Sequence, residues 1–206
     1  MTTTLRTRTL GLFAGACALA ATGSLFAQAV TYTAQPGSKV KIEGTSSIHD
    51  WDVNGSIIGG TMEVDPKFPD AGTVKPAVVV KIPVRTLKSY QKKMDEVMQE
   101  TMEMPKFPTI EYKLTELKPK GGKGEFDAVG DLTIHGKTVS TTMPVTIEKL
   151  ATKTEAGGAM LKISGKTPLK MTTFGIKPVD VNLVVGHITT GDDLKLSFEW
   201  VVGEKK

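Results

Sequence analysis

Cysteine is almost absent from this chain of 206 residues, and Cys17 is the only one. It lies in an N-terminal stretch that we expect to be removed, so the mature protein would have no disulfide, reactive thiol or thiolate metal site. Long apolar runs are also missing. After the N-terminal stretch, no segment is long and apolar enough to span a membrane as a helix. We therefore expect no stable membrane insertion.

Catalytic and metal-binding motifs are missing as well. The chain has no HExxH, no GxSxG and no phosphate-binding loop. Its three histidines, His49, His135 and His187, are far apart and lack the spacing of a zinc site. We predict turn or hydrogen-bonding roles for them, because site chemistry needs a convergent cluster. The sequence favours a protein that is not an enzyme and needs no metal or cofactor.

An excess of one charge is also lacking. The formal net charge is +4, and it falls to +2 without Arg6 and Arg8. Lysines such as Lys39, Lys113 and Lys195 occur singly at the polar positions of alternating segments, which is typical of a solubilising surface. The sequence therefore predicts no nucleic-acid partner.

The first residues resemble a targeting signal. Arg6 and Arg8 precede the apolar stretch Leu10–Ala21, and Ala27 and Ala29 are small residues at the positions that a signal peptidase recognises. We predict a secretory signal over residues 1–29, cleavage near Ala29, and a single exported domain over residues 30–206. A lipoprotein cleaved before Cys17 is the less favoured alternative, because the preceding apolar run would be unusually short.

Strict alternation of apolar and polar residues dominates the rest of the chain. Since side chains leave a strand on opposite faces, each such segment predicts a strand with one dry face and one wet face. The predicted strands are Ser38–Ser46, Val53–Val64, Val74–Val84, Thr109–Leu117, Glu125–Ile134, Lys137–Glu148, Ala159–Thr167 and Asp193–Val201, with a short one around Tyr32. The fold class is all-β, and the dry faces meet in a sandwich or a barrel.

One segment departs from this pattern. Ser89–Met102 is rich in Gln, Lys, Met and Glu, which favours a helix, and Pro105 follows it. Met94, Met98 and Met102 share one face of that helix by their spacing of four. A methionine-faced helix between strands would suit the end of a barrel as a cap.

Several short motifs occur in a characteristic order. They are Gly44–Trp51 (GTSSIHDW), Gly59–Met62 (GGTM), Lys106–Tyr112 (KFPTIEY), Gly130–Thr138 (GDLTIHGKT) and Phe174–Pro178 (FGIKP). In this order they resemble the YceI-like family of exported bacterial proteins. The similarity runs over most of the chain, from about residue 30 to residue 201.

The resemblance implies an antiparallel, eight-stranded β-barrel of the extended lipocalin-like type, with one helical insertion near residues 89–102. It further implies a periplasmic carrier or storage protein that holds a long apolar chain inside the barrel: a polyisoprenoid, an isoprenoid quinone or a related lipid. The Gly-x-Trp signature of true lipocalins is missing, since Gly44 and Trp51 are seven positions apart. An eight-stranded barrel is wide enough for one small ligand.

The inward phase of the predicted strands, together with the helix face, gives a set of candidate ligand-binding residues. These are Trp51, Val53, Ile57, Val78, Val80, Met94, Met98, Met102, Phe107, Ile110, Tyr112, Leu132, Ile134, Met143, Val145, Leu161, Phe174, Leu196 and Phe198. Both Trp51 and Trp200 are expected to pack inside, where either could line a cavity. At any single position, ordinary core packing demands the same apolar side chain.

Two other functions remain open from the residues alone. A protein-interaction module would have a filled barrel and an exposed apolar patch on the helix. A metal-handling accessory protein would offer the thioethers of Met94, Met98, Met102 and Met104 to Cu(I), with help from histidine. The sequence also leaves the oligomeric state open, a homodimer included.

Overall fold

Strands make up most of the described chain. The computed structural model describes residues 28–70, 77–183 and 186–206. Its strands are β1 (Val30–Ala34), β2 (Lys39–Ser46), β3 (Trp51–Gly55), β4 (Gly59–Val64), β5 (Val79–Pro83), β6 (Thr109–Pro119), β7 (Glu125–Ile134), β8 (Lys137–Lys153), β9 (Ala159–Lys170), β10 (Asp180–Leu183) and β11 (Gly186–Glu204). One α-helix, α1 (Lys92–Thr101), and the 3-10 turns Val84–Thr86 and Thr172–Phe174 complete the described elements.

Two sequence predictions fall wholly or partly outside these residues. The predicted secretory signal lies outside the described residues except for its last two positions. The first residues of the predicted strand Val74–Val84 also lie outside them, and β5 covers its second half.

Eight strands form a closed antiparallel ring in the order β1-β4-β5-β6-β7-β8-β9-β11. The ring closes where β1 pairs with the end of β11, with Tyr32 opposite Glu204. The alternation of the sequence gives each strand an inner and an outer face. On β7, the even-numbered residues from Ala128 to Ile134 are buried inside the ring, and the residues between them are partly exposed. The prediction of an eight-stranded barrel with one helical insertion is confirmed.

The hairpin of β2 and β3 extends one side of this ring. Strand β2 pairs with β11, as β1 does. Strand β3 then pairs with β2, in the same way that β4 pairs with β1. The predicted single strand Val53–Val64 is therefore wrong: it is two strands separated by residues 56–58. Before this gap the chain is paired with β2, and after it the chain is paired with β1. The residues of the gap itself therefore lack a partner strand.

Other boundaries differ where alternation fades. β11 begins at Gly186 rather than at Asp193, and its added part pairs with β10, which the sequence did not predict. Helix α1 lies inside the predicted range Ser89–Met102. His135 and Gly136 form the tight turn between β7 and β8, and both residues have a positive φ, of 51° and 72°.

One end of the barrel is filled by packed side chains. Leu161 and Val202 lie opposite each other on β9 and β11, and both have an exposed fraction of 0%. Phe68, in the turn after β4, is buried with its ring centroid 6.0 Å from that of Phe126. Among the described residues, no helix is long and apolar enough to cross a membrane.

Candidate ligand-binding site

The middle of the barrel contains a narrow apolar cavity of about 120 Å³, which we call the bore. Its wall comes from inward positions all round the ring, such as Ile110 and Leu114 of β6, Leu132 of β7 and Leu196 of β11. Among the residues that the structure describes, no charged one lines it. A ligand inside the bore would therefore meet almost only hydrocarbon.

A second cavity of about 340 Å³ lies under helix α1, and we call it the mouth chamber. The turn between β2 and β3 and the region around β10 form its other walls. The two cavities are adjacent, because five residues line both of them: Ile42, Leu87, Ile110, Ile134 and Leu169. Exposed residues such as His49 and Lys93 line the chamber, which therefore reaches the surface.

Helix α1 covers the chamber without filling it. Met94, Val97, Met98 and Met102 line the chamber, yet α1 contains no buried residue. The predicted methionine face is thus directed at the cavity. Methionine is flexible and polarisable, so this face can adapt to the shape of an apolar ligand.

Polar contacts fix the N-terminal end of α1. Asp95 accepts hydrogen bonds of 2.7 Å from both the backbone N–H and the hydroxyl of Ser89, and Lys88 Nζ lies 3.6 Å from its carboxylate. Burial alone would raise the pKa of Asp95, but the Ser89 hydrogen bonds and the Lys88 charge outweigh it and hold the pKa below its ordinary value.

The C-terminal end of the helix is tied to the barrel. Glu103 Oε1 lies 3.1 Å from Nε2 of His135, in the turn between β7 and β8. The helix is thus held at both ends by polar contacts while its middle spans an open apolar space. This arrangement suits a lid over a binding site.

Comparison with known proteins gives the family. The model of the YceI-like domain matches residues 32–202, which is most of the chain. The protein belongs to the YceI-like family. The resemblance of its motifs is therefore confirmed.

Curated relatives of this YceI-like protein are distant. A UPF0312 protein of Vibrio cholerae is 30% identical over 123 residues, which are 57% of this chain and 60% of that protein. A UPF0312 protein of Pseudomonas savastanoi is 28% identical over 169 residues, covering 79% of this chain and 78% of the relative. The shared region with the Vibrio protein thus falls short of two thirds of its length.

Solved structures of low identity share the fold. BcnA of Burkholderia cenocepacia has a TM-score of 0.62 at 18% identity, covering 80% of this chain and 95% of that one. A polyisoprenoid binding domain of Saccharophagus degradans, implicated in plant cell wall breakdown, has a TM-score of 0.64 at 9% identity, covering 84% and 98%. The YceI-like chain therefore has the fold of a polyisoprenoid-binding domain.

Most of the predicted ligand-binding residues of the YceI-like chain surround the two cavities. Those lining the bore are Val78, Val80, Ile110, Tyr112, Leu132, Ile134, Met143, Val145, Leu196 and Phe198. Those lining the mouth chamber are Trp51, Val53, Met94, Met98, Met102 and Phe174, with Ile110 and Ile134 shared by both.

Three predicted lining residues lie elsewhere. Ile57 is 51% exposed, because residues 56–58 lie between strands and the inward position passes to Ile58. Phe107 packs edge-on against His135, with ring centroids 4.7 Å apart, and lines neither cavity. Leu161 belongs to the packed end of the barrel.

Two kinds of lining residue were not predicted from the sequence. The first shares a strand and a phase with predicted ones, such as Leu114 beside Tyr112, so alternation could have found it. The second comes from segments without alternation, such as Met171, Ile176 and Ile188, which line the mouth chamber. Apart from the motif Phe174–Pro178, which contains Ile176, no pattern in the sequence marks this second group.

The histidines make local contacts. His135 meets Glu103, His187 meets Asp180 across β10 and β11, and His49 Nδ1 lies 2.8 Å from the carbonyl oxygen of Asp50. Within residues 28–70, 77–183 and 186–206, no three His, Cys, Asp or Glu side chains come together as a metal site. Cu(I) binding by thioethers stays a prediction, now placed at the chamber face of α1.

A trough of about 1190 Å³ is lined by residues of β2, β8, β9 and β11, and it shares Val40, Val145 and Phe198 with the bore. Much of its lining is polar, including Lys39, Lys41, Lys166 and Glu199. Because a hydrocarbon chain gains most where water is excluded, the bore and mouth chamber suit it better than this trough.

Alkaline pH should destabilise the protein through Tyr112. Burial, with a smaller effect of Asp131, raises the pKa of Tyr112 to about 12. An unfolded tyrosine ionises near pH ~10, so between these values the unfolded state loses a proton that the folded state keeps. Stability should fall as pH rises through this window. Urea unfolding followed by tryptophan fluorescence at successive pH values measures the slope.

The matched variants are Tyr112→Phe and Tyr90→Phe. Tyr112→Phe should flatten the slope, and the remainder should come partly from Tyr32, whose pKa burial also raises. Tyr90→Phe is the control for removing a tyrosine hydroxyl, because the Tyr90 side chain is 85% exposed. An unchanged slope in Tyr112→Phe would contradict the assignment.

Proposed function

We propose that this protein binds one long apolar lipid, a polyisoprenoid, an isoprenoid quinone or a related chain, and carries it without chemical change. The observation that supports this is an apolar bore that is closed by packed residues at one end and adjoins the mouth chamber at the other. The ligand would enter under α1 and lie along the barrel axis.

Apolar burial supplies the affinity in this proposal. Each methylene group removed from water contributes about 0.8 kcal/mol. The mouth chamber, at about 340 Å³, has the size of an ordinary small-molecule pocket. The bore is narrower, so the combined space favours a flexible chain over a rigid fused-ring ligand.

Residues 1–29 support a periplasmic location for this carrier. Their basic start, apolar middle and Ala27-Gln28-Ala29 end are those of a secretory signal. A carrier that encloses its ligand would move a water-insoluble chain through an aqueous compartment. The intact mass of protein from the periplasmic fraction tests this part: it should correspond to cleavage near Ala29, and a lipid-modified Cys17 would contradict it.

The position of the methionines favours this proposal over an interaction module. That alternative predicted a filled barrel and an exposed methionine face. The bore is open, and Met94, Met98 and Met102 are directed at the mouth chamber. We therefore assign the helix face to the ligand rather than to a protein partner.

Lipid extraction tests the proposal directly. Protein purified without detergent should yield, by mass spectrometry of its organic extract, about one long-chain lipid per barrel. After delipidation, an added polyprenol or quinone should change tryptophan fluorescence, since Trp200 lines the bore and Trp51 the chamber. Protein that contains no lipid and does not respond to either probe would refute the carrier.

A further inference from the structure

Helix α1 is bordered by strained backbone at both ends. Among the described residues, the non-glycine ones with a positive φ are Tyr90 (64°), Glu103 (43°) and His135 (51°). Tyr90 comes directly before the N-cap of α1, and Glu103 comes directly after its C-cap. His135, in the turn between β7 and β8, is the residue that Glu103 contacts. Residues with a side chain rarely adopt this conformation, and where they do the surrounding structure must hold them in it.

Glycine would suit the end of α1 better than Glu103 does. The N–H of Met104 donates to the carbonyl oxygen of Gln99 at 3.0 Å, and the N–H of Glu103 donates to that of Glu100 at 2.8 Å. This is the Schellman ending of a helix, whose left-handed residue is usually glycine. A carboxylate there also meets the negative end of the helix dipole. Since the backbone already ends the helix, the presence of Glu103 must be explained by what its side chain contacts.

The side chain of Glu103 joins the helix to the barrel. His135 donates a hydrogen bond from Nε2 to Glu103 Oε1 at 3.1 Å. The His135 side chain is only 14% exposed and Phe107 packs edge-on against its ring, so the position of the donor is fixed. Lys106 Nζ also lies 3.6 Å from Glu103 Oε2, but Lys106 is exposed and lies only three residues further along the chain. The hydrogen bond from His135 therefore ties this end of α1 to the turn between two strands.

Between its two ends, α1 is loosely packed. None of its residues is buried, and Met98 and Met102 pack half-buried against the edge of the core. The firm anchors lie outside the helix. Before it, Lys88 and Asn54 of β3 exchange two backbone hydrogen bonds of 2.8 Å, and after it the carbonyl oxygen of Pro108 accepts one of 2.9 Å from the 3-10 turn that follows β5. The segment between these anchors can therefore move as one unit about the two strained residues at its ends.

We propose that α1 opens as a rigid lid about hinges at Tyr90 and Glu103, and that the hydrogen bond from His135 to Glu103 is the latch that holds it closed. Neither latch residue lines the bore or the mouth chamber. Both are therefore positioning residues, which set how fast a ligand enters and leaves rather than how tightly it is held. This inference rests on the proposed function and adds the gate of its binding site.

Two asparagine variants remove the latch. Glu103→Asn and His135→Asn each replace a side chain of the pair by a shorter one. After glycine, asparagine is the residue that best tolerates a left-handed backbone, and Asn-Gly is a preferred sequence for the tight turn at position 135. The two variants thus break the contact and keep the local backbone.

The rate of ligand release is the first measurement. Delipidated protein is loaded with decylubiquinone, whose quinone quenches tryptophan fluorescence, and is mixed with an excess of phosphatidylcholine vesicles. The recovery of fluorescence gives the dissociation rate. Each latch variant should release the quinone about fivefold faster and bind it faster by the same factor, so the dissociation constant should stay within about twofold of wild type.

Two further variants control this measurement. The double variant of Glu103→Asn and His135→Asn should be no faster than the faster single variant, because either change alone already breaks the bond. Glu100→Gln removes a carboxylate from an exposed position one turn before the latch. It should leave the rate of release unchanged.

Methionine oxidation tests the lid without a ligand. Lipid-free protein is treated with hydrogen peroxide, and peptide mass spectrometry follows sulfoxide formation at Met98 and Met102. Both should oxidise faster in the two latch variants than in wild type or Glu100→Gln. Met143 is the internal reference, because it lies in the wall of the bore with an exposed fraction of 4%.

The outcomes separate the latch from the proposed function. Release and oxidation rates equal to those of wild type in both variants overturn the latch and leave the carrier standing. Faster release with a matching loss of affinity also overturns the latch, because the pair would then only support the wall of the site. A wild type that binds neither decylubiquinone nor a polyprenol overturns the carrier, while the oxidation rates still decide whether the pair holds the lid.

Discussion

Leu196→Trp should reduce binding of a long-chain lipid by about 100-fold while leaving the barrel folded. Leu196 is half-buried on β11 and lines the bore of about 120 Å³, so a larger ring can enter that space. Displacing three or four methylene groups, each contributing about 0.8 kcal/mol, corresponds to a loss of this size. Isothermal titration of delipidated protein with a polyprenol measures it, and the amount of co-purified lipid is a second readout.

The matched control is Lys195→Trp. Lys195 is the preceding residue on the same strand and is exposed on the outer face, so the same ring there leaves the bore open. Unchanged affinity in the control and loss in Leu196→Trp would place the ligand inside the barrel. Equal affinity in both variants would mean that lipid binds elsewhere, and the trough would then be the site to examine.

Many strands of the ring could be predicted, because alternation of apolar and polar residues within a short segment marks both the strand and the face that it buries. β7 begins and ends where the sequence predicted, at Glu125 and Ile134. The same signal fails at Ile57 and Ile58, because the phase of a strand is lost when its partner changes. It also fails over β10, whose pairing with β11 lies beyond the alternating region.

The family motifs were easier to recognise than to interpret. Phe107 lies in the KFPTIEY motif and was expected at the ligand, but a Cβ at Gly136 would collide with its ring. Gly44 is likewise covered by the ring of Trp51 from the same GTSSIHDW motif. Gly136 of the GDLTIHGKT motif makes room for the ring of Phe107, and Gly44 makes room for the ring of Trp51, so these motifs record close packing of aromatic rings on glycine.

Sequence alone could not separate the open part of the barrel from the closed part. Leu161 and Leu196 both occupy inward positions of amphipathic strands, and both were expected to line the cavity. Burial by core neighbours and burial by a ligand require the same apolar side chain. Only the closing of one end by residues distant in sequence, such as Phe68 and Val202, distinguishes the two leucines.

That distinction predicts unequal effects on stability. Leu161→Ala should lower the free energy of unfolding by about 2–5 kcal/mol, because it leaves a new cavity among fully packed side chains. Leu196→Ala in delipidated protein should cost less than about half as much, since it only enlarges a space that already exists. Urea unfolding of both variants, followed by the fluorescence of Trp51 and Trp200, gives the two values.

Adding ligand should then narrow the difference between the stability costs of Leu161→Ala and Leu196→Ala. Saturation with a polyprenol stabilises the folded state in proportion to affinity, and Leu196→Ala, which loses contacts with the chain, should gain less stability than wild type. Leu161→Ala should gain as much as wild type, because Leu161 lies in the closed end and not against the ligand. Equal costs for the two delipidated variants would mean that the barrel is packed throughout, and a solid barrel has no room for the lipid.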